Sequence, residues 1–144
     1  MANEVIAIAS DHGGYDYKEI LKSELEKMGF EVNDLGCHNE SSVDYPDFAH
    51  ALADALKGGE IKRGVLVCGS GIGISIAANR HPHIRAALVH DALTARLCRE
   101  HNDANVLVLG GRTTGIEVAK DCLNVFLNTG FEGGRHQNRI NKMS

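Results

Sequence analysis

The sequence predicts an α/β fold: a three-layer α/β/α sandwich, Rossmann-like, around a five-stranded parallel sheet. Three observations carry that prediction. Short apolar runs alternate along the chain with longer amphipathic segments, the order that builds βα units. The runs are nearly continuous in apolar residues, as strands covered on both faces must be. No internal repeat, low-complexity tract or linker interrupts the alternation, so residues 1–144 are expected to form one domain. Strand order cannot be read from such a pattern, and right-handed crossovers are assumed.

The first run, EVIAIAS at residues 4–10, is rich in β-branched side chains and ends at Asp11, His12, Gly13 and Gly14, a strand entering a turn. Tyr17, Ile20, Leu21, Leu25 and Met28 then recur at helical spacing, and Gly29 stands where a helix-ending glycine belongs. Residues 30–36, FEVNDLG, read as a second, weaker strand. Asp47 precedes a helical stripe of Phe48, Leu52, Ala53 and Leu56, closed by Gly58 and Gly59. The third strand is GVLVCGS, residues 64–70, with a helix opening in or just beyond the glycines and running to about Asn79. IRAALVH, residues 84–90, is the fourth strand, followed by a helix from about Ala92 to Glu100. ANVLVLGG, residues 104–111, is the fifth, and the next helix carries Ile116, Ala119, Leu123, Phe126 and Leu127. The polar, basic tail FEGGRHQNRINKMS has room for one short last helix.

A net charge of −4, with 43% hydrophobic and 24% charged residues, is that of an ordinary globular chain and argues against general affinity for nucleic acid or anionic membrane. No apolar run approaches the roughly 20 residues needed to cross a bilayer. The start, MANEVIAIAS, has Glu4 and no basic segment, so a cytoplasmic protein without a secretory leader is expected. Cys37, Cys68, Cys98 and Cys122 are scattered without C-x-x-C pairing, which reads as reduced thiols. His81 and His83 flank Pro82 with no second pair at finger-like spacing, so no zinc site is expected from spacing.

In such sheets ligands bind beyond the carboxyl ends of the strands. Asp11 and His12 follow the first strand, Asp44 and Tyr45 the second, Cys68 to Gly73 the third, His90 and Asp91 the fourth, and Gly110, Gly111 and Arg112 the fifth. That edge collects acids, imidazoles, a thiol, an arginine and two glycine turns, an enzyme's inventory.

The glycine loop invites a nucleotide reading, which its spacing opposes. The third glycine of G-x-G-x-x-G falls on Ile74 counting from Gly69 and on Ile76 counting from Gly71, and no lysine makes a Walker loop. Asp91, twenty positions after Gly71, is the one feature that favours a dinucleotide site. What remains is a loop whose bare amides can approach a ligand's oxygens at the amino end of a helix. Cys68 stands at that mouth, where a helix terminus favours the thiolate. It can act as nucleophile, base or metal ligand, and the residues alone leave that open. The other three cysteines read as small apolar core residues. Arg135 and Arg139, four apart with His136 between them, share a face if the tail is helical, either as a solvated end or as a phosphate clamp.

SDHGG, DYPDFA, VCGSGIGISIAANR, CREHNDANVLVLGGR and EGGRHQNRI, in this order over nearly the whole chain, resemble the B-type ribose-5-phosphate isomerases, kin to galactose-6-phosphate isomerase. The resemblance implies interconversion of D-ribose 5-phosphate and D-ribulose 5-phosphate in the pentose phosphate pathway, with neither metal nor organic cofactor. It implies that Cys68 is the base moving a proton between C2 and C1, and that Ser70, where many relatives have threonine, handles the sugar oxygens. His101 is similar to the histidine that helps open the furanose ring. Asn102 and the amides of Gly69, Gly71 and Gly73 would hold the enediolate, and Asp11 and Tyr45 would contact sugar oxygens. His12, Arg112, Arg135 and Arg139 look like the phosphate binders. Family members are dimers, some pairing into tetramers, with sites shared between subunits. One branch replaces the cysteine with a glutamate in the loop's helix; GIGISIA has no acid, so the chain resembles the cysteine branch.

A hexose 6-phosphate isomerase, for galactose or allose phosphates, is the alternative within this chemistry. A non-catalytic nucleotide- or sugar-phosphate-binding domain and a cysteine-nucleophile hydrolase are the alternatives outside it.

Overall fold

The computed structural model describes residues 3–143. Five strands, β1 (Val5–Ser10), β2 (Glu31–Asp34), β3 (Arg63–Cys68), β4 (Ala86–Leu88) and β5 (Val106–Gly110), form one sheet in the order β2-β1-β3-β5-β4, every neighbouring pair parallel. Helices α1 (Tyr15–Lys27), α2 (Tyr45–Leu56), α3 (Ile72–Ala78), α4 (Ala92–Glu100) and α5 (Ile116–Asn128) cover it, and a short α6 (Arg135–Asn141) closes the chain. The predicted sandwich and its parallel sheet are therefore present. No helix among the described residues is long and apolar enough to cross a membrane.

The continuous apolar strands have a simple cause. Ile6, Ile8, Val65, Val67, Leu107 and Leu109 pack with Leu21, Leu25, Ala95, Leu123 and Phe126 of α1, α4 and α5. The residues between them, Ala7, Ala9, Leu66, Cys68, Val106 and Val108, pack with Leu52, Leu56, Ile74 and Ala78 of α2 and α3. Both faces of each central strand are dry, so side chains alternate in direction without alternating in polarity. The helices change face whenever the chain reverses direction across the sheet, as a constant crossover hand requires. Fully burying aliphatic side chains of this size contributes roughly 1.5–3 kcal/mol each, and this two-sided core is what holds the strand ends in place.

Two expectations for α1 need correction. Ile20 and Met28 lie at the surface, 38% and 37% exposed, while Lys18 is fully buried. The inward stripe is Tyr17, Lys18, Leu21 and Leu25. Lys18 takes a core position because its Nζ meets Asp34 Oδ2 at 2.7 Å and Glu19 Oε1 at 2.9 Å, the pairing a buried ammonium needs. The fourth strand is also shorter than its apolar run, three residues at an edge paired only with β5.

The Asp34 end of β2 is tied to the end of β1. Asp34 Oδ1 accepts the Gly36 N–H at 3.0 Å. The Ser10 N–H donates to Gly36 O at 2.7 Å, and the Cys37 N–H to Ser10 O at 2.8 Å. The buried pair thereby anchors the segment beside Asp11.

Candidate active site

The chain leaves β1 toward β2 and returns to β3 on the other side of β1, so a topological switch point lies between β1 and β3, where open α/β sheets leave a crevice. Pairing of Ser10 with Val67 sets the ends of the two strands side by side. Asp11 and Cys68 are the first functional residues beyond that pair.

Cys68 faces the α2 and α3 side of the sheet and is 4% exposed. Its Sγ accepts the Gly71 N–H at 3.1 Å, which fixes the sulfur inside the turn. Gly71 is left-handed, with φ of 78°, and a side chain there would run 2.5 Å from Leu88 Cδ1, so only glycine closes this turn. Ser70 Oγ accepts the Ile72 N–H at 3.1 Å, which leaves its own proton to donate elsewhere. Gly73 has a different reason: a Cβ there would fall 2.5 Å from Cζ of Tyr45, the first residue of α2. Tyr45 is thus drawn onto the loop, and it remains 40% exposed.

The turn after β1 supplies the next two groups. Asp11 is 7% exposed and caps the turn His12–Gly14, one carboxylate oxygen accepting the Gly14 N–H at 3.2 Å. His12 Nδ1 accepts the Val43 N–H at 3.1 Å. A ring that accepts at Nδ1 keeps Nε2–H as its donor. Arg112 comes from the β5 turn: the Gly111 N–H donates to Cys68 O and the Arg112 N–H to Gly69 O, both at 2.8 Å. A Cβ on Gly69 would sit 3.6 Å from Arg112 Cδ. Among the described residues no carboxylate pairs with Arg112. One corner therefore gathers Asp11, His12, Tyr45, Cys68, Gly69, Ser70, Gly71, Gly73 and Arg112.

His101, Asn102, Arg135 and Arg139 are not at that corner. Helix α4 starts near the carboxyl edge and runs back, so His101 at its C-terminal end and Asn102 lie at the amino edge, where Arg85 Nε donates to Asn102 O at 3.0 Å. A β5 of five residues puts about 16 Å of strand between the two edges. Helix α6 docks at the same amino edge, where His136 stacks on His101 with 4.4 Å between ring centroids. Arg135 and Arg139 do lie one turn apart on this helix, both exposed, and no carboxylate among the described residues pairs with either. Asn102, with Gln137 and Ile140, lines a cavity of about 610 Å³. A second hollow of about 730 Å³ beside Glu4 and Arg63 shares Arg85 and Asp103 with it, and its Arg63 is held by Glu4 at 2.7 Å.

Several groups resolve as structural. Asp91 is the N-cap of α4, in a reciprocal capping box with Thr94; the Thr94 N–H and hydroxyl hold its carboxyl below the ordinary value. A cap, not a ribose contact, accounts for it. Cys98 and Cys122 are buried, and desolvation pushes both thiols up to about 11, so they stay protonated near neutrality. Cys37 is buried as well. His136 and Glu132, whose Oε1 lies 3.4 Å from His136 Nε2, were not among the expected site residues. Their contact with His101 joins segments some thirty residues apart, and no local pattern announces it.

A model of the Ribose/Galactose Isomerase family matches residues 6–143. The ribose-5-phosphate isomerase B of Escherichia coli is 44% identical over 135 residues, covering 94% of this chain and 91% of its own length. The putative sugar phosphate isomerase YwlF of Bacillus subtilis is 46% identical over 140 residues, covering 96% and 94%. Among solved structures, ribose-5-phosphate isomerase B of Clostridium thermocellum superposes with a TM-score of 0.95 at 50% identity, covering 96% of this chain and 94% of that one. The Thermotoga maritima protein of the same description gives a TM-score of 0.95 at 49% identity, with 97% of both chains covered.

Proposed function

Since the chain belongs to the ribose/galactose isomerase family, we propose that it is an aldose–ketose isomerase interconverting D-ribose 5-phosphate and D-ribulose 5-phosphate. The observation that carries the proposal at residue level is the single turn holding Cys68 Sγ and the amides of residues 69–73 at the sheet's switch point.

The Cys68 thiolate takes the proton from C2 of the open-chain aldose, and the bond's electron pair forms the C1–C2 double bond of the enediolate as the charge moves onto O1. A proton then passes from O2 to O1, the carbonyl forms at C2, and the Cys68 thiol returns its proton to C1. A positioned base contributes about 10²–10⁴-fold. Amides of Gly69 and Gly73, aimed at the developing oxyanion, contribute about 3 kcal/mol more; the Gly71 N–H, expected among them, is instead engaged by Cys68 Sγ. Ser70 donates its free hydroxyl proton to a sugar oxygen, and Asp11 and Tyr45 contact the hydroxyls. His12, through Nε2–H, and Arg112 grip the phosphate and thereby position C1 and C2.

The groups at the amino edge complete the site from a second chain. His101 of one subunit helps open the furanose ring held by its partner, Asn102 steadies the enediolate, and Arg135 and Arg139 close on the phosphate. The functional unit is accordingly a homodimer, or a tetramer made of two, acting in the cytoplasm. Ile72 and Ile76, one turn apart on α3 and each 55% exposed, support an interface beside the glycine loop.

The test is turnover of ribose 5-phosphate against galactose 6-phosphate and allose 6-phosphate. The pentose phosphate is expected to have the highest kcat/KM. A higher value for either hexose phosphate overturns the pentose assignment, and absence of isomerisation of all three overturns the reaction.

A further inference from the structure

We propose that His101, Glu132 and His136 form a binding site for a divalent transition metal of the zinc class, and that metal bound there inhibits the enzyme. The spacing of histidines and cysteines along the chain gives no hint of it; the site exists only because α6 and the segment before it fold onto the end of α4.

Among the described residues these three are the group of His, Cys, Asp or Glu side chains whose ligand atoms come together, all within 4.8 Å of one another. The separation of His136 Nε2 from Glu132 Oε1 is 3.4 Å. An ion about 2.1 Å from each atom, with a tetrahedral angle between them, requires about 3.4 Å between the ligands. One edge of the coordination tetrahedron is therefore already present. His136 is 8% exposed, so burial holds its ring, while the side chain of Glu132 is 53% exposed and leaves an approach for the ion.

His101 supplies the third ligand. Its ring lies nearly parallel to that of His136, at 18°, and must tilt about its Cβ–Cγ bond to aim a nitrogen at the same point. It stands half-buried at the end of α4, where such a rotation leaves the core untouched. Two imidazoles and one carboxylate, with a fourth position left to water, are the donor set of open zinc sites. The other histidine cluster fits less well. His50 Nδ1 and His81 Nε2 are 2.7 Å apart, the distance of a shared proton, and His83 Nε2 is engaged by Ala53 O at 2.7 Å.

Metal on His101 occupies the lone pair that ring opening needs. That inhibitory consequence rests on the role given to His101 above; the binding itself does not.

The experiment titrates the full-length protein, stripped with EDTA, with Co²⁺, whose visible absorption intensifies when it becomes four-coordinate. One Co²⁺ per chain is expected, displaced by Zn²⁺. Glu132→Gln and His136→Asn are expected to weaken binding at least about tenfold, and His50→Ala to leave it unchanged. A wild type that shows no such absorption, a Glu132→Gln protein that titrates like wild type, or loss of binding in His50→Ala overturns the site. In parallel, Zn²⁺ is expected to inhibit turnover of ribose 5-phosphate reversibly by EDTA, and Glu132→Gln to need at least about ten times more Zn²⁺ with its metal-free rate retained. Tight metal binding that leaves turnover unchanged overturns the inhibitory role while the site stands.

Discussion

Among the four cysteines, location rather than exposure sets Cys68 apart. All four are buried, yet only Cys68 ends a strand at the switch point, with a backbone N–H aimed at its sulfur. Cys68→Ser keeps the size of the side chain and removes the readily ionised group. Its kcat on ribose 5-phosphate is expected to fall by at least about 10²-fold with KM little changed; a near-wild-type rate would show that another group removes the proton. Gly73→Ala tests the loop's other constraint. A methyl 2.5 Å from the Tyr45 ring must displace it, so kcat/KM should fall while circular dichroism stays as in wild type. These two positions were legible in the sequence because strand, thiol and glycines are contiguous. The reason for Gly73 was not, since its constraint comes from a tyrosine on another helix.

At the scale of elements, the buried Lys18 is the residue that hydropathy patterning hides. A helix stripe read by apolarity alone passes over it in favour of Ile20 and Met28, because the compensating carboxylate sits sixteen residues away on β2. Burial works to lower the Lys18 pKa, but hydrogen bonds to Asp34 and Glu19 outweigh it and the net shift is upward from 10.5. Burial likewise works to raise Asp34, and the hydrogen bonds from Lys18 and Gly36 win, holding it below its ordinary 3.8. A depressed carboxyl stabilises the fold above the unfolded-state value and loses that contribution as pH falls through the folded value. A raised ammonium loses its contribution only as pH rises past 10.5. The pair is thus fully effective at neutral pH. Lys18→Met is expected to cost about 3 kcal/mol there, the low end for breaking a buried pair, because Lys22 still reaches Asp34 at 3.3 Å. Urea unfolding followed from neutral pH down through about 3.8 should show a shallower acid decline in the variant than in wild type. An equal decline would mean that other carboxylates govern acid stability.

At the scale of the whole molecule, the groups assigned to the proposed reaction divide between two edges of the sheet. Local patterns were enough to give the order along the chain of the five strands and of the helices between them, and to name candidate residues at both edges. They could not show that the two sets lie at opposite edges of the sheet, since that depends on α4 running back across it and α6 docking at its far end. The separation predicts complementation. Cys68→Ala and His101→Ala proteins should each be inactive, every site in either homodimer lacking one group. After joint unfolding and refolding of an equal mixture, half of the dimers are mixed. Each mixed dimer holds one site with both groups intact and one with neither, so activity should recover to about one quarter of wild type, as two-fold symmetry requires. Recovery near that fraction cannot arise from sites contained within one chain, which stay defective however they are mixed. Failure to recover, with mixed dimers verified by mass spectrometry, would return His101 to a role within its own subunit.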